Sequence, residues 1–248
     1  MCAMNNNNWN QPPRLYDDAS VEWQGDVSVS KFVANVFSWM VAGLSITAVM
    51  AYWVASSGWI TNLYNPGGGM SILGWIVMLA PLGFILAMNM GFQRWSAQGI
   101  IALFLAFSGV MGMSLSSIFI VYTGAVITQV FAITAITFAV MAAVGYTTST
   151  DLTKFGSLLM MALIGIIVAS LVNWFLQSGT LDYIISIFGV LIFTGLVAYD
   201  TQKIKRIGAG VEYGSEPATK LAILGATSLY LDFVNLFLFL LRISADDE

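Results

Sequence analysis

Seven uninterrupted apolar runs, each about twenty residues long, set the limits on what this chain can fold into. They cover roughly Phe32–Ala55, Ile72–Met90, Ala97–Tyr122, Val126–Tyr146, Phe155–Leu176, Tyr183–Ile204 and Leu221–Ile243. As helices rising about 1.5 Å per residue, each is long enough to cross a hydrocarbon core of about 30 Å. The runs are about twice the length of a barrel strand and show no period-2 alternation, so strands are not expected. Only 9% of the residues are charged and 58% are hydrophobic, whereas a soluble domain carries about 25% charged residues. The reading is an all-α polytopic membrane protein of seven spans. Its segments are a polar tail at 1–30, a helical domain at 31–243 and a short acidic tail at 244–248. Gly or polar turn residues fill the connectors, the longest expected at 206–220.

Composition removes several function classes. There is no histidine, which excludes histidine metal sites, histidine triads and histidine pH switches. Cys2 is the single cysteine and allows no intrachain disulfide. Nine Lys and Arg are too few for a nucleic-acid footprint. The first thirty residues lack the apolar core of a signal peptide. Arg14, Lys31, Arg94, Lys154, Lys203, Lys205, Arg206 and Lys220 fall on one side of a seven-span arrangement, and Arg242 alone falls on the other. The positive-inside rule then predicts a cytoplasmic N-terminus and an outside C-terminus.

Two acids stand within the apolar runs, Asp200 in the sixth and Asp232 in the seventh. A carboxylate at the centre of a spanning helix costs about 3 kcal/mol on insertion scales, so it normally faces the bundle interior or water. Asp200 reads either as an interfacial acid paired with Lys203 at i+3 or as part of a functional site. Asp232 has no basic residue within a helical turn and shares a face with Gly225, Ser228 and Asn235. It reads either as interhelical hydrogen-bond glue or as an ion or proton site. Should the two meet, they cannot both ionise cheaply and titrate as a unit. Counting along the runs puts Asp200 near the edge and Asp232 about ten residues deep, so pairing requires a later start of the last helix or entry of water. Arg94, just beyond the second run, reads as a positive-inside anchor or as a latch for the acid pair. Gly109, Gly112 and Ser108 form a small-residue surface suited to close helix packing. Asn89 and Asn173 are expected to make interhelical or interfacial polar contacts.

The block GLVAYDTQKIK in the sixth run and LYLDFVNLFLFLLRI in the seventh resemble the signature of the Bax inhibitor-1 (transmembrane Bax inhibitor motif) family, and GYTTSTDLTKFG resembles its connector before the fifth helix. The resemblance spans about residues 30–243 and looks most like a bacterial member, which places the chain in a bacterial inner membrane. It implies seven helices with the last one central, and a pH-sensitive calcium leak in which Asp200 and Asp232 share a proton. It also implies a basic latch at the end of the second helix, for which Arg94 is the nearest match. The run Ile72–Met90 contains no acid, unlike the second helix of some members.

Asp200, Asp232, Ser228 and Asn235, with Lys203 nearby, cannot supply the six to eight oxygens that calcium prefers. Calcium is therefore expected as a weakly held permeant ion rather than a bound cofactor, with protons and the bilayer as the other partners. A second reading, implied by the same resemblance, is an interaction protein that regulates a membrane protease or a cell-death response. An intramembrane aspartyl protease is disfavoured: Leu-Tyr-Leu precedes Asp232 where Gly-x-Gly is expected, and no Pro-Ala-Leu motif follows. A retinal Schiff base has no lysine within Leu221–Leu241. No enzymatic activity is expected.

Overall fold

A computed structural model describes residues 16–65 and 67–245, and every long element in it is helical. In chain order these are α1 (Tyr16–Ser56), a 3-10 turn (Trp59–Leu63), α2 (Ile72–Gly91), α3 (Ala97–Leu115), a single turn α4 (Ile118–Val121), α5 (Gly124–Thr147), α6 (Thr153–Leu176), α7 (Gly179–Ala209) and α8 (Glu216–Ala245). Seven of them are long and apolar enough to cross a membrane, as the apolar runs predict. Polar caps set the starts: the hydroxyls of Ser71, Ser96, Thr123, Ser178 and Ser215 each accept from the backbone N–H three residues on.

Three boundaries differ from the apolar runs. Helix α1 continues back to Tyr16, into the segment expected as a tail. The third run breaks at Ser116–Ser117, between α3 and α4. Helix α7 runs on to Ala209 and α8 starts at Glu216, so the connector expected at 206–220 shrinks to 210–215. Hydropathy marks the hydrocarbon-facing part of a helix, while these helices carry Lys, Arg and Glu on turns beyond it.

Helix α8 is the central element, packing on α1, α3, α5 and α7. Its inward side chains Leu229, Tyr230, Ala226 and Leu236 are fully buried. The Tyr230 hydroxyl donates to Thr47 Oγ1 (2.6 Å), which donates to the Ser108 carbonyl (2.8 Å), tying α8, α1 and α3 together. Glycines permit the closest crossings. A Cβ on Gly112 would overlap the Thr47 carbonyl of α1, and one on Gly145 the Ala198 carbonyl of α7. Gly109 has more room, its nearest neighbour being Met50. Helix α2 holds Pro81 in its middle and packs on α3 and the 3-10 turn, while α6 packs on α7. A groove is left between α2 and α6, floored by α7 and α8.

Candidate functional site

The register of α7 against α8 can be read from two contacts. Gly225 sits against Ile204, and Gly189 against Phe239. In an antiparallel pair this places Asp200 level with Ser228, one turn from Asp232. The Asp200 and Asp232 carboxyl groups come within hydrogen-bonding reach of each other. Depth counting makes them look too far apart because it ends α7 at Ile204. In fact α7 continues for more than a turn, which sinks Asp200 deeper into the bundle.

Asp232 is 5% exposed, and among the described residues its Oδ2 has no hydrogen-bond partner. Asp200 is half-buried. Two cavities meet at the pair. One, of about 260 Å³, opens towards the α7–α8 connector and is lined by Asn89, Asp200, Lys203, Thr227 and Ser228. The other, of about 680 Å³, lies in the groove between α2 and α6 and reaches Asp200, Ser228, Asp232 and Asn235. Asp200, Ser228, Ile85 and Leu231 line both. Beyond Asp232, away from the connector, the Phe193 and Phe239 rings stack with centroids 5.8 Å apart.

The other candidates distribute unevenly. Ser228 and Asn235 join the pair, and Asn235 donates to the Leu231 carbonyl (2.8 Å). Lys203 lies near both carboxyl groups, yet among the described residues it forms no ion pair. Arg94 stands exposed in the turn between α2 and α3, and its guanidinium pairs with neither aspartate. Asn89 donates to Ile85 in its own helix and faces the smaller cavity. Asn173 accepts from the N–H of Ser178, the residue that caps α7, so it ties the end of α6 to the start of α7. Among the described residues no group of three or more Asp, Glu, His or Cys side chains comes together. A calcium ion at the pair would thus have two carboxylates, neutral oxygens and water as its ligands.

Sequence reasoning missed a polar clamp near the connector end of α7. Gln202 accepts from the Leu152 N–H (2.9 Å) and donates to the Thr150 carbonyl (2.8 Å). Arg206 donates to Asp151 (2.5 Å), Thr153 (2.7 Å) and Gln202. Lys205 donates to the Tyr146 carbonyl (2.9 Å). Hydrogen bonds from Thr153 and Arg206 hold the Asp151 carboxyl well below the usual carboxylate range. The signal for this clamp was the run Asp200–Arg206, where four of the seven side chains are charged. Its partners in the α5–α6 connector could not be read from spacing.

The remaining acids with partners lie at helix ends. Glu216 accepts from Lys220 (3.0 Å) and from the Ala97 N–H (3.2 Å). Asp182 pairs with Arg242 at 3.2 Å. Among the described residues, these contacts leave Asp200 and Asp232 as acids inside the bundle without an ion-pair partner.

Comparison with known proteins bears on the whole chain. Residues 29–247 match the family model described as inhibitor of apoptosis-promoting Bax1. The inner membrane protein YbhL of Escherichia coli K12 is 42% identical over 221 residues, 89% of this chain and 93% of that protein. An uncharacterized protein of Borreliella burgdorferi is 44% identical over 225 residues, covering 91% and 96%. One of Rickettsia prowazekii is 42% identical over 217 residues, covering 88% and 90%. With a family model spanning almost all of its spanning helices, the chain belongs to the Bax inhibitor-1 family.

Proposed function

We propose that the protein is a pH-sensitive calcium leak pathway gated by Asp200 and Asp232. The observation that carries this reading is the meeting of two carboxyl groups from consecutive helices inside the bundle, one of them buried with an unpartnered oxygen. Two such groups share a proton because both cannot be charged at low cost. Their protonation sets how strongly α7 and α8 hold together at this depth, and whether a cation finds charge there. The smaller cavity offers a polar approach past Lys203 and Asn89. Beyond the pair, the stacked Phe193 and Phe239 close the route, so conduction requires these rings to separate. Arg94, exposed in the turn between α2 and α3, serves as the latch when that turn folds inward. The name of the Escherichia coli relative supports an inner-membrane location, and the basic residues support a cytoplasmic N-terminus.

The test is calcium flux into liposomes holding the purified chain, at acid and alkaline pH. Flux that depends on pH in the wild type and loses that dependence in the Asp200→Asn, Asp232→Asn double variant is the expected result. Equal, pH-dependent flux in both would overturn it.

A further inference from the structure

We propose that the groove between α2 and α6 is a lateral binding site for a single-chain alkylammonium amphiphile entering from the bilayer. This proposal shares Asp232 with the leak pathway but does not depend on calcium conduction. At about 680 Å³ the groove has the size of a small-molecule site. Its walls are alkyl: Leu82 and Ile85 from α2, and Met160, Leu163, Ile167 and Leu171 from α6. Leu82, Ile167 and Leu171 are 61%, 52% and 57% exposed, so the groove opens sideways, where lipid would lie. A hydrated metal ion gains nothing from such walls, whereas an alkyl chain buries its surface there.

The floor supplies the opposite chemistry at one end. Asp232 lines this polar end of the groove at 5% exposure, and among the described residues its buried Oδ2 has no hydrogen-bond partner. A buried acceptor left unmade is costly, and an N–H donor relieves that cost. Asp200, Ser228 and Asn235 add further oxygens around the same point. A primary ammonium brings three donors and one positive charge on a compact head. Its chain can then run along α6 from Met160 to Leu171, about 16 Å at the helical rise. An alcohol of equal length lacks the charge, and a carboxylate carries the wrong one.

The experiment uses the full chain with Cys2→Ser and a reporter Ser170→Cys, since Ser170 lines the groove. The protein is reconstituted in phosphatidylcholine vesicles, and the rate of cysteine labelling by a small membrane-permeant thiol reagent is followed. Dodecylamine is expected to slow labelling at least about fivefold, a factor worth about 1 kcal/mol, while dodecanol and dodecanoate do not. Asp232→Asn in the same background is expected to abolish the protection and to leave the unprotected rate within about twofold, which also shows that this variant is folded. Equal protection by dodecanol, protection that survives Asp232→Asn, or a cysteine that never labels would each overturn the proposal. Protection in phosphatidylethanolamine vesicles without added amine would overturn the single-chain assignment in favour of a lipid headgroup. Because no calcium is present, failure here is separable from failure of the leak reading.

Discussion

The Tyr230 hydroxyl hands a hydrogen bond to Thr47, and Thr47 passes one on to the Ser108 carbonyl. Both hydroxyls therefore have a fixed direction: Thr47 spends its proton on Ser108 and can only accept from Tyr230. Tyr230→Phe removes one donor and leaves Thr47 still satisfied as a donor, at an expected cost of about 1 kcal/mol. Thr47→Val leaves the buried tyrosine hydroxyl without its acceptor, while the Ser108 carbonyl keeps its place in the α3 ladder, and is expected to cost about 2 kcal/mol. Thermal unfolding of the purified variants in detergent checks the order. A smaller loss for Thr47→Val than for Tyr230→Phe would contradict the relay.

Gly145 sits so close to Ala198 that any Cβ overlaps the Ala198 carbonyl oxygen. Backbone cannot yield as a flexible side chain can, so Gly145→Ala is expected to push α5 from α7 and destabilise by about 1–3 kcal/mol. Gly109→Ala, facing only the end of Met50, is expected to be neutral or slightly stabilising, because alanine is the better helix former. The same unfolding assay, run on the two variants side by side, decides it.

For the leak pathway, single Asp→Asn variants separate the two carboxyl groups. Each single variant leaves one acid that no longer shares a proton, and the flux is expected to keep a pH response with an altered midpoint. Only the double variant is expected to be flat. A flat response in either single variant would assign the sensing to one carboxyl group alone, measured by the same liposome calcium assay.

The Asp151–Arg206 clamp answers pH differently. The Asp151 carboxyl is held lower in the fold than in the open chain. Its contribution is therefore complete above the ordinary carboxylate value of about 3.9 and is lost only as pH falls further towards the folded value. Between neutral and mildly acid pH the clamp stays shut. The hydrogen-exchange protection of the α5–α6 connector, 148–152, taken relative to the intrinsic rate at each pH, is expected to be constant over that range in the wild type and lower throughout in Arg206→Ala. Loss of wild-type protection at mildly acid pH would show a sensor in the clamp rather than in the aspartate pair.

The sign of the basic-residue asymmetry predicts that a reporter fused after Glu248 lies outside the cytoplasm. A phosphatase reporter, active only after export, is expected to be active there, and an inactive one would reverse the assignment or change the span count.

Seven helices were legible because each apolar run is continuous and long, a signal that does not depend on neighbours. Helix ends were less so, since the last turns of α7 carry Lys203, Lys205 and Arg206, which look like loop residues until Gln202 and Arg206 are seen holding the α5–α6 connector. Asp200 and Asp232 stood out by their charge alone, but their meeting rests on the α7–α8 register, which Gly225 and Gly189 set through contacts with Ile204 and Phe239. Arg94 shows the opposite limit. Its place beside a helix end suggested a latch, whereas the described conformation turns it to the surface.

Pro81 gives α2 a property that none of the other walls of the two cavities has. Its ring lacks the N–H that would bond to the Val77 carbonyl, so one rung of the helical ladder is missing there. The half of α2 after that gap carries Leu82, Ile85 and Asn89, which line the two cavities. Bending at a missing rung meets less resistance than bending elsewhere. A bend of the near wall would therefore centre on Pro81, and not on the α7–α8 pair that carries the acids.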